Sequence, residues 1–167
     1  MKIPVGKKVV CITGSVWTGS YQAPRRLLVK DGFVRPVWFT TRAGINDAEY
    51  EKISDTEYRL SRAKNNILVD VKYAMDFIGI MKESFSDALE QSALGVLVVG
   101  PQDIVAKIAE KIPQTTIFTL KSKQMELSKH LKKAKLRGQV KRIDIDVQEP
   151  GAWDLVHQQM LETLDLD

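Results

Sequence analysis

Apolar positions in this chain fall into short unbroken runs separated by stretches with helical spacing. Lys8 to Thr13 is apolar and β-branched and stops at Gly14, which predicts a buried strand. Leu94 to Val99 is apolar throughout and ends at Gly100-Pro101, the pattern of a central strand covered on both faces. Thr115 to Leu120 and Arg142 to Val147 supply two more strands. Between these runs lie amphipathic helices: Asp103 to Lys111 around Ile104, Val105 and Ile108, Ser122 to Lys135 around Met125, Leu127 and Leu131, and Trp153 to Leu164 around Val156 and Met160. Nearer the start, Gln22 to Lys30 is expected to be helical, with Pro24 in its first turn and Asp31-Gly32 as its stop. Val34 to Thr41 is expected as one strand, with Pro36 marking an edge or an irregular start, and Ala43 to Ala48 as loop. Asp55 to Lys64 is a predicted helix capped by Asp55 or Ser54, Ile67 to Val71 and Phe77 to Ile80 are predicted strands, and Lys82 to Ser92 is a predicted helix.

Strands alternating with helices predict an α/β sandwich with a mostly parallel sheet. In such sheets ligands sit beyond the carboxyl ends of the strands. Gly14 stands at one such end. Residues 14–21, G-S-V-W-T-G-S-Y, place two glycines four residues apart after a buried strand, the frame of a phosphate-binding loop. Gly14 and Gly19 keep that frame, and Ser15 lies inside it. The position for the lysine holds Ser20, and the position for a short hydroxyl holds Tyr21. The stretch reads either as a residual anion-binding loop or as a plain strand-to-helix turn.

A chain of 167 residues suits one domain with a substantial core. No apolar run approaches the roughly 18 residues that span a bilayer, and the opening eight residues are too short and polar for a signal peptide. One cysteine makes no internal disulfide, and no Cys/His cluster has metal-ligand spacing, so no metal site and a cytoplasmic location are expected. Cys11 is expected to be an inert buried thiol, Trp38 a packing residue, and His130 and His157 structural, having no carboxylate or cysteine at catalytic spacing.

The net charge of +4 is unevenly spread. From Lys121 to Arg142 there are nine basic residues against one acid, Glu126. That segment reads as a solvated helix face or as a surface for nucleotide phosphates, nucleic acid or an acidic partner. Aromatic residues are not interleaved there, which disfavours stacking of single strands.

Residues 39–54, F-T-T-R-A-G-I-N-D-A-E-Y-E-K-I-S, together with Phe77-Ile78-Gly79 and the V-V-G-P-Q ending at Gln102, resemble the guanylate kinase family. Thr40-Thr41-Arg42 and Tyr50 with Ile53-Ser54 carry the resemblance, and the order of elements extends it over nearly the whole chain. It implies a P-loop NTPase-like three-layer sandwich of a single domain. Residues of about 1–36 and 81–167 would form the core, about 37–80 a small mixed-β monophosphate-binding part, and about 121–141 a reduced lid. It further implies Arg42, Tyr50 and Asp70 as contacts to GMP, and Lys132, Lys133, Lys135 and Arg137 as an anion-binding remnant of the lid.

Departures from the family pattern are as informative. Besides Ser20 and Tyr21, Trp38 stands where the family has a serine, Ile78 where it has a second tyrosine, and Gly100 where it has the central-strand aspartate; by alignment with the family the stretch from Arg42 to Tyr50 is about four residues short, and the second arginine and the glutamate that the family places there have no counterpart. The expectation is a guanylate kinase-like domain without efficient phosphoryl transfer, acting as a nucleotide-binding or protein-interaction module, with GMP or another nucleotide, or a protein, as its partner. A divergent kinase using ATP and Mg²⁺ is the alternative, and a binder of nucleic acid or an acidic partner through residues 121–142 is the second alternative.

Overall fold

A computed structural model describes residues 1–14, 22–45, 48–121, 126–146 and 149–166. Among them the elements run β1 (Lys8–Gly14), α1 (Gln22–Arg26), β2 (Phe33–Val34), β3 (Trp38–Thr40), β4 (Tyr50–Lys52), α2 (Asp55–Ala63), β5 (Ile67–Tyr73), β6 (Asp76–Met81), α3 (Lys82–Gln91), β7 (Gly95–Val99), α4 (Gln102–Lys111), β8 (Thr115–Lys121), α5 (Lys129–Leu136), β9 (Val140–Asp144) and α6 (Ala152–Thr163). A five-stranded sheet of order β2-β7-β1-β8-β9 is parallel throughout. A second sheet of order β4-β3-β6-β5 is mixed: β3 runs parallel to β4 and antiparallel to β6, which is antiparallel to β5.

The large sheet is covered on both faces, as its apolar runs require. Alternate residues of β1 and β7 point to opposite sides. Val9, Cys11, Val96 and Val98 pack with Phe85 of α3, Ile104 and Ile108 of α4 and Leu131 of α5. Val10, Ile12, Leu97 and Val99 pack with Leu27, Leu28 and, from α6, Val156 and Met160. Trp38, Leu68, Val69 and Ile80 of the small sheet join the first of these clusters, so the two sheets share one core. The other face of the small sheet buries Phe39, Ile53, Tyr58 and Ile67 beneath α2. That helix starts at a capping box: the Ser54 hydroxyl accepts from the Glu57 N–H, and the Glu57 carboxylate accepts from the Ser54 N–H.

Among the described residues β5 is an edge strand, with no strand beyond it. Two lysines of α4 cover that edge: Lys107 Nζ donates to the Asp70 carbonyl at 2.6 Å, and Lys111 Nζ donates to the Leu68 carbonyl. The spacings match. Four residues of helix rise about 6 Å, and two residues of strand advance about 6.8 Å, so lysines four apart meet carbonyls two apart.

The predicted elements are corrected in four places. The helix expected over Gln22–Lys30 ends at Arg26; Leu28 takes a left-handed φ of 62°, and a 3₁₀ turn covers Val29–Asp31, which lets both Leu27 and Leu28 reach the core. The single strand expected over Val34–Thr41 is two strands in different sheets, because Pro36 has no N–H for a ladder and the chain leaves the large sheet there. The helix expected from Ser122 begins at Lys129; Ser128 caps it by accepting from the Leu131 N–H, while residues 122–125 lie outside the described ones. The last strand, expected over Arg142–Val147, is Val140–Asp144, with Val147 outside the described residues. β4, three half-buried or exposed residues, was not anticipated.

Candidate functional site

The carboxyl ends of β1 and β7 face the small sheet, and Trp38 is the side chain that stands between them. β1 ends at Gly14, and the Gly100 N–H donates to the Ile12 carbonyl at 3.1 Å, extending the pairing of β7 with β1 past Val99. Thr13, just before, is 2% exposed, and its hydroxyl has no hydrogen-bond partner among the described residues. Ser15, Gly19, Ser20 and Tyr21 of the predicted phosphate loop lie outside the described residues.

A Cβ built on Gly100 would lie 2.7 Å from Cη2 and 3.1 Å from Cζ2 of Trp38. No side chain fits at position 100 while the indole keeps its place. The two departures seen in the sequence, a large ring at 38 and a missing carboxylate at 100, are therefore one packing arrangement. Trp38 is 8% exposed, and its ring lies tilted against Tyr50 with centroids 6.3 Å apart. Gly79, the glycine of the Phe-Ile-Gly stretch, has a similar cause: a Cβ there would meet the Val69 carbonyl at 2.2 Å and the Phe39 ring at 2.8 Å.

Beside Trp38 opens a cavity of about 180 Å³, walled by Tyr50, Leu97 and Val99 and by the polar group Arg25, Arg35 and Glu49. Glu49 bridges the two arginines, accepting from Arg25 at 2.9 Å and Arg35 at 2.5 Å. Among the described residues, two guanidinium groups and one carboxylate meet there next to an aromatic and aliphatic wall. Such a group suits a small anion attached to a flat or apolar body. No motif announced Arg25, Arg35 or Glu49; they come from three separate segments, and the sheet connection at Pro36 is what brings them together.

The predicted site residues do not all gather there. Tyr50 lines the cavity. Arg42 is exposed on the loop after β3, where its N–H donates to the Thr40 hydroxyl at 3.1 Å. Asp70 lies on the opposite face of β5 from Val69 and Val71, which pack toward the core that holds Trp38. Its carboxylate accepts from the Tyr58 hydroxyl at 2.6 Å, and that hydroxyl accepts from Arg62 at 3.0 Å. Burial, then the Asp70 carboxylate, push the Tyr58 pKa up to about 12. A group that binds its proton more tightly when folded loses stability as pH rises from its unfolded value toward the folded one. One tyrosine of the four is thus expected to ionise near pH 12 by absorbance at about 295 nm, with stability falling over the same alkaline range; both effects should vanish in Tyr58→Phe.

Lys132, Lys133, Lys135 and Arg137 of the predicted lid remnant are all exposed, on or just after α5, which packs against α4. Arg137 Nε donates to the Gln139 side chain at 2.8 Å. Gln102, at the end of V-V-G-P-Q, anchors the approach to α5: its amide donates to the Glu126 carbonyl at 3.0 Å, and its oxygen accepts from the Ser128 N–H at 2.7 Å.

His157 does have a carboxylate partner, which spacing along the chain hid. Its Nε2 lies 2.6 Å from Asp31, 126 residues away, tying α6 to the 3₁₀ turn. Cys11 is fully buried, and burial pushes its thiol above the ordinary range. Among the described residues no group of three or more His, Cys, Asp or Glu could hold a metal ion. Gly100, at the carboxyl end of β7, has no side chain that could ligate a metal ion. No helix among the described residues is long and apolar enough to cross a membrane.

No family model matches the chain, and no curated protein matches its sequence. Among solved structures, the chain is similar to a guanylate kinase from Anaplasma phagocytophilum, with a TM-score of 0.65 over 98% of this chain and 87% of that one, at 15% identity. The chain has a guanylate kinase-like fold, far diverged in sequence.

Proposed function

We propose that this guanylate kinase-like fold works as a binding module, receiving a nucleotide or a protein partner in the cleft beside Trp38 without efficient phosphoryl transfer. The observation that carries the reading is the indole packed over Gly100. Phosphoryl transfer depends on positioned charge rather than on covalent chemistry by the protein. Losing one such charged contact commonly costs about 10²–10³ in rate. Where the resemblance implies a carboxylate there is a hydrogen, and an apolar ring occupies the space. Ser20, at the position of the lysine, supplies no ammonium group, and Tyr21, at the position of the short hydroxyl, carries its oxygen far from its backbone.

What the cleft retains is suited to holding, not reacting. Arg25 and Arg35 stand beside Tyr50 and Trp38 around the cavity. GMP, a phosphate joined to a flat base, matches that chemistry, as does an acidic side chain on a peptide. The similarity to a guanylate kinase supports the nucleotide option.

Thermal denaturation with GMP, and separately with ATP and Mg²⁺, tests the reading. A ligand at 100 times its Kd stabilises by about 2.7 kcal/mol. A shift with GMP assigns the cleft to a nucleotide, and silence toward both nucleotides assigns it to a protein partner. Radiolabel is expected to pass from ATP to GMP no faster than background. Rapid transfer that Arg42→Ala abolishes would overturn the proposal.

A further inference from the structure

α5, in the basic segment, supplies no residue to the wall of the cavity beside Trp38, and its charge is not explained by that cleft. Residues 121–142 hold nine of the chain's 25 Lys and Arg but one of its 21 Asp and Glu, a net of +8. The rest of the chain therefore carries 16 basic and 20 acidic residues, a net of −4. The modest overall charge conceals a molecule with two electrically opposite parts.

The structure shows how α5 displays its share. Leu131 and Ala134 are buried in the core, which fixes the inward direction of the helix. At about 100° per residue, Lys129, Lys132, Lys133 and Leu136 then share the outward face. All four are exposed. Lys135 and Arg137 flank that face and are exposed as well. Among the described residues none of these cations is in an ion pair; the ion pairs are those of Arg25, Arg35, Arg142 and His157. Asp144, the carboxylate on the neighbouring strand β9, is already engaged by Arg142 at 2.7 Å. Lys129 and Lys133 are separated by about 6 Å along the helix axis.

We infer that the outward face of α5 binds the sugar–phosphate backbone of duplex nucleic acid, without reading its sequence. Unpaired ammonium groups in a row, with no competing carboxylate on the same face, suit a dense line of phosphates. The occupant is a duplex rather than a single strand because α5 carries no Phe, Tyr or Trp on which bases could stack, and its one imidazole, His130, lies off the outward face. It is a nucleic acid rather than a protein because this face has one large apolar residue, Leu136, and lacks the apolar centre of a protein interface. The negative remainder of the chain restricts contact to this side.

Fluorescence anisotropy with a labelled duplex of about 20 base pairs, at 50 to 200 mM salt, tests the inference. Engagement of about four phosphates gives a logarithmic salt slope of roughly −3.6, so affinity should fall about 10²-fold across that range from a micromolar Kd. Lys132→Ala/Lys133→Ala should weaken binding and flatten the slope by about 2. Those side chains are exposed, so the fold should survive, and an unchanged urea midpoint verifies it. Lys52→Ala/Lys64→Ala, exposed and placed on β4 and at the end of α2 rather than on α5, should leave the slope as it is. No binding at 50 mM salt, or a slope unmoved in the α5 variant, overturns the inference. So does tighter binding of the separated single strand, or competition by polyglutamate as effective as that by unlabelled duplex.

Discussion

Gly100→Asp is expected to destabilise the fold by about 3 kcal/mol or more, and that penalty should shrink when Trp38→Ser is introduced into the same chain. The Cβ alone would come within 2.7 Å of the indole. Overpacking of this kind costs about 1–3 kcal/mol, and a carboxylate facing an apolar ring adds to it. Trp38→Ser is itself destabilising, since deleting a buried tryptophan commonly costs about 3–5 kcal/mol. The diagnostic quantity is therefore the coupling between the two. Because the residues compete for one space, the double variant should be more stable than the sum of the single effects by about 1–3 kcal/mol. Urea midpoints at constant m-value measure it. Strict additivity would mean that the ring and the glycine are not a matched pair, and the proposed loss of catalysis would lose its structural basis.

The second large effect concerns the edge of the small sheet. Lys107→Ala/Lys111→Ala removes two charge-assisted hydrogen bonds to the Asp70 and Leu68 carbonyls. Bonds to charged groups contribute about 1.5–3 kcal/mol each, so the pair should cost about 2–4 kcal/mol, allowing for the exposure of Lys111. The variant also leaves an open strand edge, a template for pairing with another chain. Light scattering should therefore show concentration-dependent self-association that the parent lacks. Lys107→Met/Lys111→Met keeps the aliphatic stems and loses only the donors. If it proves as stable as the parent, packing and not hydrogen bonding covers the edge.

The sequence made some of this legible for reasons that can be named. β1 and β7 are buried on both faces, so their apolar runs have no rival reading. α2 announces itself by the Ser54…Glu57 spacing of its capping box. β4 could not be seen, since three residues with no buried member carry no periodicity. Pro36 was noticed as an irregularity, but nothing local says that the chain changes sheets there. At the site, Trp38 and Gly100 stood out only because a family pattern assigns other residues to those positions; that they touch is a fact of packing. Asp70 shows the limit of a one-dimensional reading. In a strand a displacement of one residue reverses the face, and the register of β5 against β6 shifts between Ile67 and Val69. Arg25, Arg35 and Glu49 had no signal at all, because three charged residues on separate segments look like ordinary surface until the fold brings them together.

Trp38, Leu68, Val69 and Ile80 belong to the same buried cluster as the central strands. A hinged enzyme needs its lobes to separate at little cost; here, parting the sheets would mean tearing the main core. On the binding-module reading proposed above, the described walls of the cleft would therefore meet a ligand already shaped. A partner loses no free energy reordering it, encounter rates are governed by collision and orientation, and the lifetime of the complex sets the affinity.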